Sequence, residues 1–200
     1  MPRNFANYMR SFWNLNMNNK KLFDTLYKDF LSPENLANIS SDKTYEEMTL
    51  MLDSYEENKE LYIPENIVYD YYKGDFETFL KAVREVDESW ADIYKPTDRI
   101  YCGFCGGRVV SFCMIEDMGM YEEDGITYKV GGPGCVGTIP EFRKKGIGLK
   151  MIDKATVILK ELGYDISYVH YTGVAPWYSK LGYKTVLKWN KEGKWESVRG

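Results

Sequence analysis

A strand-like segment in the second half of the chain ends in a basic, glycine-containing turn that is suited to binding an anion. The residues concerned are Val136, Gly137, Thr138, Arg143, Lys144, Lys145, Gly146, Ile147 and Gly148. Amides in the first turn of a helix have no partner within the helix, and the helix dipole places partial positive charge there. Glycine lets the backbone approach a phosphate closely, and basic side chains add formal charge. The pattern predicts a pyrophosphate site.

Two nucleotide-binding motifs do not fit this turn. A P-loop needs Gly-Lys followed by Ser or Thr, whereas Leu149 and Lys150 follow Gly148. A dinucleotide fingerprint needs a third glycine where this chain has Met151. What remains is R-x-x-G-x-G directly after a strand.

A second group of reactive residues is a C-x-x-C formed by Cys102 and Cys105, a spacing that can indicate metal or redox chemistry. Residues three apart in a strand point to opposite faces, so the two thiols would not meet. No second such pair exists, and the single histidine, His170, is far away in sequence. We therefore expect free thiols in a reducing compartment and no metal site.

The elements that must position these residues alternate between strands and helices after residue 61. Strands are predicted over 66–72, 99–105, 108–115, 127–139, 166–171 and 183–189, and helices over 75–86, 146–162 and 175–180. Gly106-Gly107 predicts a hairpin turn, and 116–125 is rich in turn formers. Because the consecutive middle strands lack crossover helices, we expect a mixed α/β sandwich rather than a doubly wound parallel sheet.

The first 60 residues are predicted to form a helical N-terminal extension, followed by one domain over 61–200. Apolar residues recur at helical spacing in 18–31 and 44–61, and Ser32-Pro33-Glu34 is typical of a helix start. The extension has three possible roles: it could cover the core, contribute to a substrate pocket or form a dimer contact.

Composition limits the partners. A net charge of −4 and a pI near 5.2 argue against nucleic acid as the main ligand and suit a cationic amine better. No apolar run approaches the roughly 20 residues that span a bilayer, and residues 1–5 lack the apolar region of a signal peptide. We expect a cytoplasmic protein with no membrane partner.

Three landmarks in order resemble the GNAT family of N-acetyltransferases. R-x-x-G-x-G resembles the family's motif A, residues 176–183 resemble its second signature, L-Y-x-K-L-G-F/Y, and the hairpin at 105–112 resembles its turn between strands two and three. Together they cover roughly residues 66–190. The resemblance implies an α/β (α+β) fold with a mixed, mostly antiparallel sheet flanked by helices, here with the N-terminal helical appendage.

The resemblance also implies a reaction. In the family, an amine attacks the thioester of acetyl-CoA directly in a ternary complex, and the tetrahedral intermediate needs an oxyanion donor. The acetyl carbonyl would lie along the backbone of Val136, Gly137 and Thr138, whose amides are the oxyanion candidates. The coenzyme A diphosphate would lie on residues 143–148. Tyr178 matches the signature tyrosine, a general acid in many relatives, although a packed aromatic role is also open.

The general base is less defined. Relatives often use a glutamate on the fourth strand, but 127–139 contains no carboxylate. His170 has a suitable ordinary pKa, and Glu116 closes the third strand; a purely structural role is open for both. The family's asparagine, seven residues before the tyrosine, is here Tyr171, and Thr172 is the substitute polar contact to the pantetheine arm.

Three functions stay open at this stage. The first is acetylation of a primary amine on a small molecule or peptide. The second is a non-catalytic acyl-CoA sensor that recruits a partner, and the third is transfer from a different acyl-CoA. The sequence does not identify the acceptor, and a homodimer is only a family-level expectation.

Overall fold

Eight strands form the centre of the protein, which a computed structural model describes over residues 17–39, 41–62 and 64–198. They are β1 (Thr44–Met51), β2 (Ile67–Tyr71), β3 (Ile100–Cys105), β4 (Arg108–Glu123), β5 (Ile126–Thr138), β6 (Ile166–Thr172), β7 (Lys184–Asn190) and β8 (Trp195–Ser197). All belong to one sheet with the order β2-β3-β4-β5-β6-β1-β7-β8. Neighbouring strands are antiparallel except β5 and β6, which are parallel.

Within the ranges that the structure describes, five α-helices accompany the sheet. They are α1 (Asn19–Leu26), α2 (Pro33–Leu36), α3 (Phe76–Arg84), α4 (Ile147–Glu161) and α5 (Ala175–Tyr178). Predicted caps are in place, because Ser32 and Asp75 accept hydrogen bonds from amides in the first turns of α2 and α3. None of the described helices is both long and apolar enough to cross a lipid bilayer.

The helices cover both faces of the sheet and so create two cores. On one face, Met151 and Ala155 of α4 pack against Ile115 and Val169. On the other, Phe79 of α3 packs against Phe112, and Leu22 of α1 packs against Tyr168. This mixed, mostly antiparallel sheet between helices confirms the predicted fold class.

Residues 44–51 form a strand and not the helix that their spacing predicts. The helix predicted over 44–61 is wrong, because 44–51 form β1, an interior strand between β6 and β7. A register shift at Glu47 interrupts the two-residue alternation, and Met48, Met51 and Leu52 then imitate helical spacing. Within the region 1–60 that was predicted to be helical, residues 1–16 lie outside the described residues, and 44–51 belong to the sheet.

Strand β4 is also longer than the sequence predicts. Residues 116–125 were predicted to be turn-rich, but β4 continues to Glu123 and pairs with β5 up to a turn at Asp124-Gly125. The glycine signal comes from a bulge, because the register shifts between Asp117 and Gly119, and Gly119 has a φ of 97°. Because β4 is longer than predicted, Glu116 lies in the middle of this strand rather than at its end.

The C-x-x-C residues are free thiols, as are Cys113 and Cys135. Cys102 is in the core beneath α3, whereas Cys105 packs beside Ile67 and Ile147. The two thiols thus point to different sides of the sheet, as predicted, and the described residues contain no cluster suited to a metal ion.

Candidate active site

The basic turn leads directly into α4, as the sequence predicts. Gly146 caps the helix in a left-handed conformation, with φ 80° and ψ −11°, and no side chain bonds to the first-turn amides. Lys144 also has a positive φ, 61°, so the turn folds back sharply before the helix. Arg143, Lys144 and Lys145 are exposed, whereas Ile147 is buried and anchors the helix start. The turn therefore presents three exposed cations and, as far as the described residues go, first-turn amides without a side-chain cap.

A gap in the sheet lies next to this turn. The parallel strands β5 and β6 pair only at Val130–Ile166 and Gly131–Ser167 in the part of the chain that the structure describes. A bulge follows in β5, where the register with β4 shifts and Cys135 has a φ of 44°. The Tyr94 hydroxyl fixes the bulge by donating to the Cys135 carbonyl oxygen at 2.7 Å. Separation of the strands leaves one edge of β5 unpaired around Val136.

The gap between β5 and β6 forms a cavity of about 940 Å³. Tyr178 and Val169, which line it, belong to the core beneath α4, whereas Tyr27 lies at the end of α1 on the opposite face. The cavity therefore passes through the sheet and connects its two faces. Five of the predicted site residues line it, namely Glu116, Val136, His170, Thr172 and Tyr178.

The remaining predicted residues lie outside the cavity lining. Thr138 and Gly148 contact each other beside Ser111, and the Thr138 and Ser111 hydroxyls are 2.9 Å apart. A Cβ on Gly137 would come within 2.3 Å of the Phe112 ring, so packing also requires glycine there. The basic turn at 143–148 forms a separate anion-binding end of the site.

Tyr178 is a buried residue that lines the cavity. Its ring packs against Trp177 and Tyr183. Burial raises the pKa of Tyr178 far above the ordinary value, which reinforces the protonated state that an unperturbed tyrosine already has at neutral pH. Within the described ranges no protein group hydrogen-bonds to this hydroxyl. Tyr178 is consequently a proton donor available to a ligand.

His170 is held by groups that sequence reasoning missed. Its Nδ1 lies 2.9 Å from Oε2 of Glu47, a carboxylate with no exposed surface. The ring stacks on Tyr27 with centroids 3.7 Å apart and planes at 14°. Glu47 was missed because it lies at the irregular point of β1, in a segment predicted to be a helix. The sequence around Glu47, with Glu46 beside it and threonines at 44 and 49, gives no local signal that this carboxylate is buried.

Glu116 and Thr172 complete the polar lining. Burial raises the pKa of Glu116, and a positive charge on nearby His170 opposes that shift. One carboxylate oxygen is close to Gly134, where an added Cβ would be 3.0 Å away. The Thr172 hydroxyl is occupied by the Val174 amide at 3.1 Å. Glu116 and His170 are thus two acid–base groups on the same side of the cavity.

These features fit a coenzyme A ester. Free amides and cations at 143–148 suit a diphosphate, and the unpaired edge of β5 beside Val136 suits the amide-bearing pantetheine arm. Gly148 lies against Thr138 with no space for a side chain, so the start of the helix packs closely on β5.

Three solved structures share the fold. The GCN5-related glucosamine N-acetyltransferase region of a fungal multi-domain GH3 beta-N-acetylglucosaminidase is 20% identical with a TM-score of 0.64, over 74% of this chain and 20% of that chain. A GCN5-related N-acetyltransferase from Sphaerobacter thermophilus is 18% identical with a TM-score of 0.53, over 72% and 49% of the two chains. One from Kribbella flavida is 16% identical with a TM-score of 0.51, over 72% and 55%. The protein spans about half or less of these longer chains.

Sequence comparison gives the family. No curated protein matches the chain. A family model described as an acetyltransferase (GNAT) domain matches residues 66–186, which is more than half of the chain. The chain therefore belongs to the GNAT acetyltransferase family, whose members are acyltransferases.

Proposed function

We propose that the protein transfers an acetyl group from acetyl-CoA to a primary amine of a small molecule or peptide. The observation that carries the proposal is the cavity between β5 and β6, which brings together Tyr178, the Val136 backbone and two acid–base side chains. It opens to both faces of the sheet, so two substrates can approach from opposite sides and meet in the middle.

The two ends of the site have different tasks. Residues 143–148 hold the diphosphate, and the free edge of β5 positions the pantetheine arm and provides an amide for the developing negative charge. Acetyl-CoA, when bound, supplies an acyl group activated as a thioester. The side chains of Glu116 and His170 lie on the acceptor side, next to Tyr27.

Two protons move during the transfer: one leaves the amine and one reaches the departing sulfur. As the nitrogen–carbon bond forms and the carbon–sulfur bond breaks, His170 or Glu116 takes the proton of the amine. Tyr178 gives its proton to the leaving sulfur and regains one from solvent. Direct transfer needs no nucleophilic side chain, and both buried cysteines, Cys102 and Cys113, have pKa values raised by burial, which disfavours thiolates.

An acceptor screen tests the proposal. Purified protein is incubated with acetyl-CoA and a panel of small-molecule and peptide amines, and products are detected by mass spectrometry. We expect acetylated products that form on the order of 100-fold more slowly with Tyr178→Phe. Stabilisation by acetyl-CoA without any product would favour the sensor function, and products formed only with propionyl- or succinyl-CoA would favour a different donor.

The enzyme also has an expected compartment, an expected class of partner and an expected oligomeric state. We place it in the cytoplasm, with a small-molecule or peptide acceptor and without nucleic acid as a ligand, in keeping with the net charge of −4. A homodimer is the state that family membership favours. Size-exclusion chromatography with light scattering measures the oligomeric state directly.

A further inference from the structure

Glu47 is a buried carboxylate whose two oxygens have different partners. Oε1 accepts hydrogen bonds from Trp189 Nε1 at 2.7 Å and from the Tyr171 amide at 3.2 Å. Oε2 lies 2.9 Å from His170 Nδ1. Both partners of Oε1 are obligate donors, so the orientation of the carboxylate is fixed. Oε2 is consequently the oxygen that faces His170.

This arrangement selects one tautomer of His170. An ionised carboxylate can only accept hydrogen bonds, so Nδ1 must carry the hydrogen of the neutral ring. Nε2 then has the free lone pair. Because His170 lines the cavity, this lone pair is the basic site of the ring that remains for a ligand.

Aromatic contacts fix the ring in addition. Tyr27 stacks on it at 3.7 Å, and Phe30 meets it edge-on with centroids 4.6 Å apart. Glu116 of β4 also interacts electrostatically with His170. Tyr27, Phe30 and Glu47 all precede residue 66, where the match to the family model begins. The segment before the matched region therefore builds the surroundings of this histidine.

We propose that Glu47 is a positioning residue that holds His170 with hydrogen on Nδ1, so that Nε2 is the base that removes the proton of the acceptor amine. The proposal rests on the acetyltransferase function proposed above. During transfer, the proton moves from the amine nitrogen to Nε2, and the resulting imidazolium is stabilised by the Glu47 carboxylate before it releases the proton to solvent.

Glu47→Gln tests the tautomer without changing shape. The amide oxygen must remain with the two donors, Trp189 and Tyr171, so the amide nitrogen replaces Oε2 and faces Nδ1. An amide nitrogen is a donor, which forces Nδ1 to accept and moves the ring hydrogen to Nε2. The substitution should therefore invert the tautomer rather than merely weaken a contact.

Nitrogen-15 NMR gives a readout that does not depend on activity. The chain has a single histidine, so one labelled imidazole appears in the spectrum. With the ring neutral, we expect hydrogen on Nδ1 in the wild type and on Nε2 in Glu47→Gln. The hydrogen on Nε2 in the wild type would overturn the proposal, and that measurement stands even if the variant does not fold.

Kinetics then connects the tautomer to the reaction. We expect Glu47→Gln and His170→Gln each to lower kcat on the order of 100-fold, with no further loss in the double variant and unchanged acetyl-CoA affinity. Glu46→Gln, one residue earlier on the same strand and bonded to Thr185, is the matched control and should keep full activity.

The two proposals fail in distinguishable ways. A tautomer inverted by Glu47→Gln together with wild-type kcat would show that His170 is not the base, and would overturn this inference while leaving acetyl transfer intact. A wild type that acetylates no amine would overturn the proposed function, whereas the NMR result would still report whether Glu47 sets the tautomer.

Discussion

The hydroxyl of Thr138 occupies the space that a side chain on Gly148 would need. A Cβ on Gly148 would lie 2.7 Å from Thr138 Oγ1, which is held in place by the Ser111 hydroxyl at 2.9 Å. The second glycine of R-x-x-G-x-G is thus required by packing between α4 and β5, in addition to any role toward a phosphate.

Gly148→Ala should destabilise the fold by about 1–3 kcal/mol because of this overpacking. Thr138→Ala removes the obstructing oxygen, so the double variant should recover part of the loss. Chemical denaturation of the four proteins measures the coupling between the two sites. Additive losses would contradict the contact.

The basic turn should determine acetyl-CoA affinity. Lys144→Gly removes a charge at a position with a φ of 61°, which glycine adopts without strain. A hydrogen bond to a charged group contributes about 1.5 kcal/mol or more, so we expect roughly tenfold weaker binding and a smaller salt dependence. Isothermal titration calorimetry at two salt concentrations measures both. Lys184→Ala, an exposed lysine on β7, is the control, and equal affinities of the two variants would remove the turn from the site.

Tyr178→Phe should lower kcat on the order of 100-fold while acetyl-CoA affinity changes little. The reason is that the hydroxyl, which any tyrosine keeps protonated at neutral pH and whose pKa burial raises further, acts only on the leaving sulfur. Tyr183→Phe is a matched control, since that buried hydroxyl contacts Ser167 and Thr156. It should lower stability but not kcat. A normal kcat in Tyr178→Phe would eliminate the acid role.

Glu116→Gln should make the protein more stable at neutral pH. Burial raises the pKa of Glu116 in the folded state, so ionisation costs stability above the folded-state pKa. Below the ordinary pKa of a glutamic acid, about 4.3, the carboxyl is protonated in both states and the cost disappears. The gain should therefore shrink as the pH falls, which urea denaturation from pH 4 to 8 measures. Glu122→Gln, exposed on the same strand, should show no such trend.

The sequence by itself determined the elements whose signals are local. The hairpin around Gly106-Gly107 and the start of α4 at Gly146 both need positive φ angles, which these glycines adopt without strain. The cap of α3 at Asp75 likewise needs only a side chain and an amide three residues away. Ordered motifs added the family and the candidate Tyr178, whereas His170 was inferred from its ordinary pKa and its predicted strand beside the cleft.

Only the tertiary structure decided which residues surround His170. Glu47 lies 123 residues away in sequence, on a strand that exists because β6 and β7 provide hydrogen-bonding partners on both sides. The bulge at Glu47 breaks the alternation that would have announced a strand, and local spacing then favours a helix. The gap between β5 and β6 is likewise a property of two strands that diverge, and no pattern within either strand specifies it.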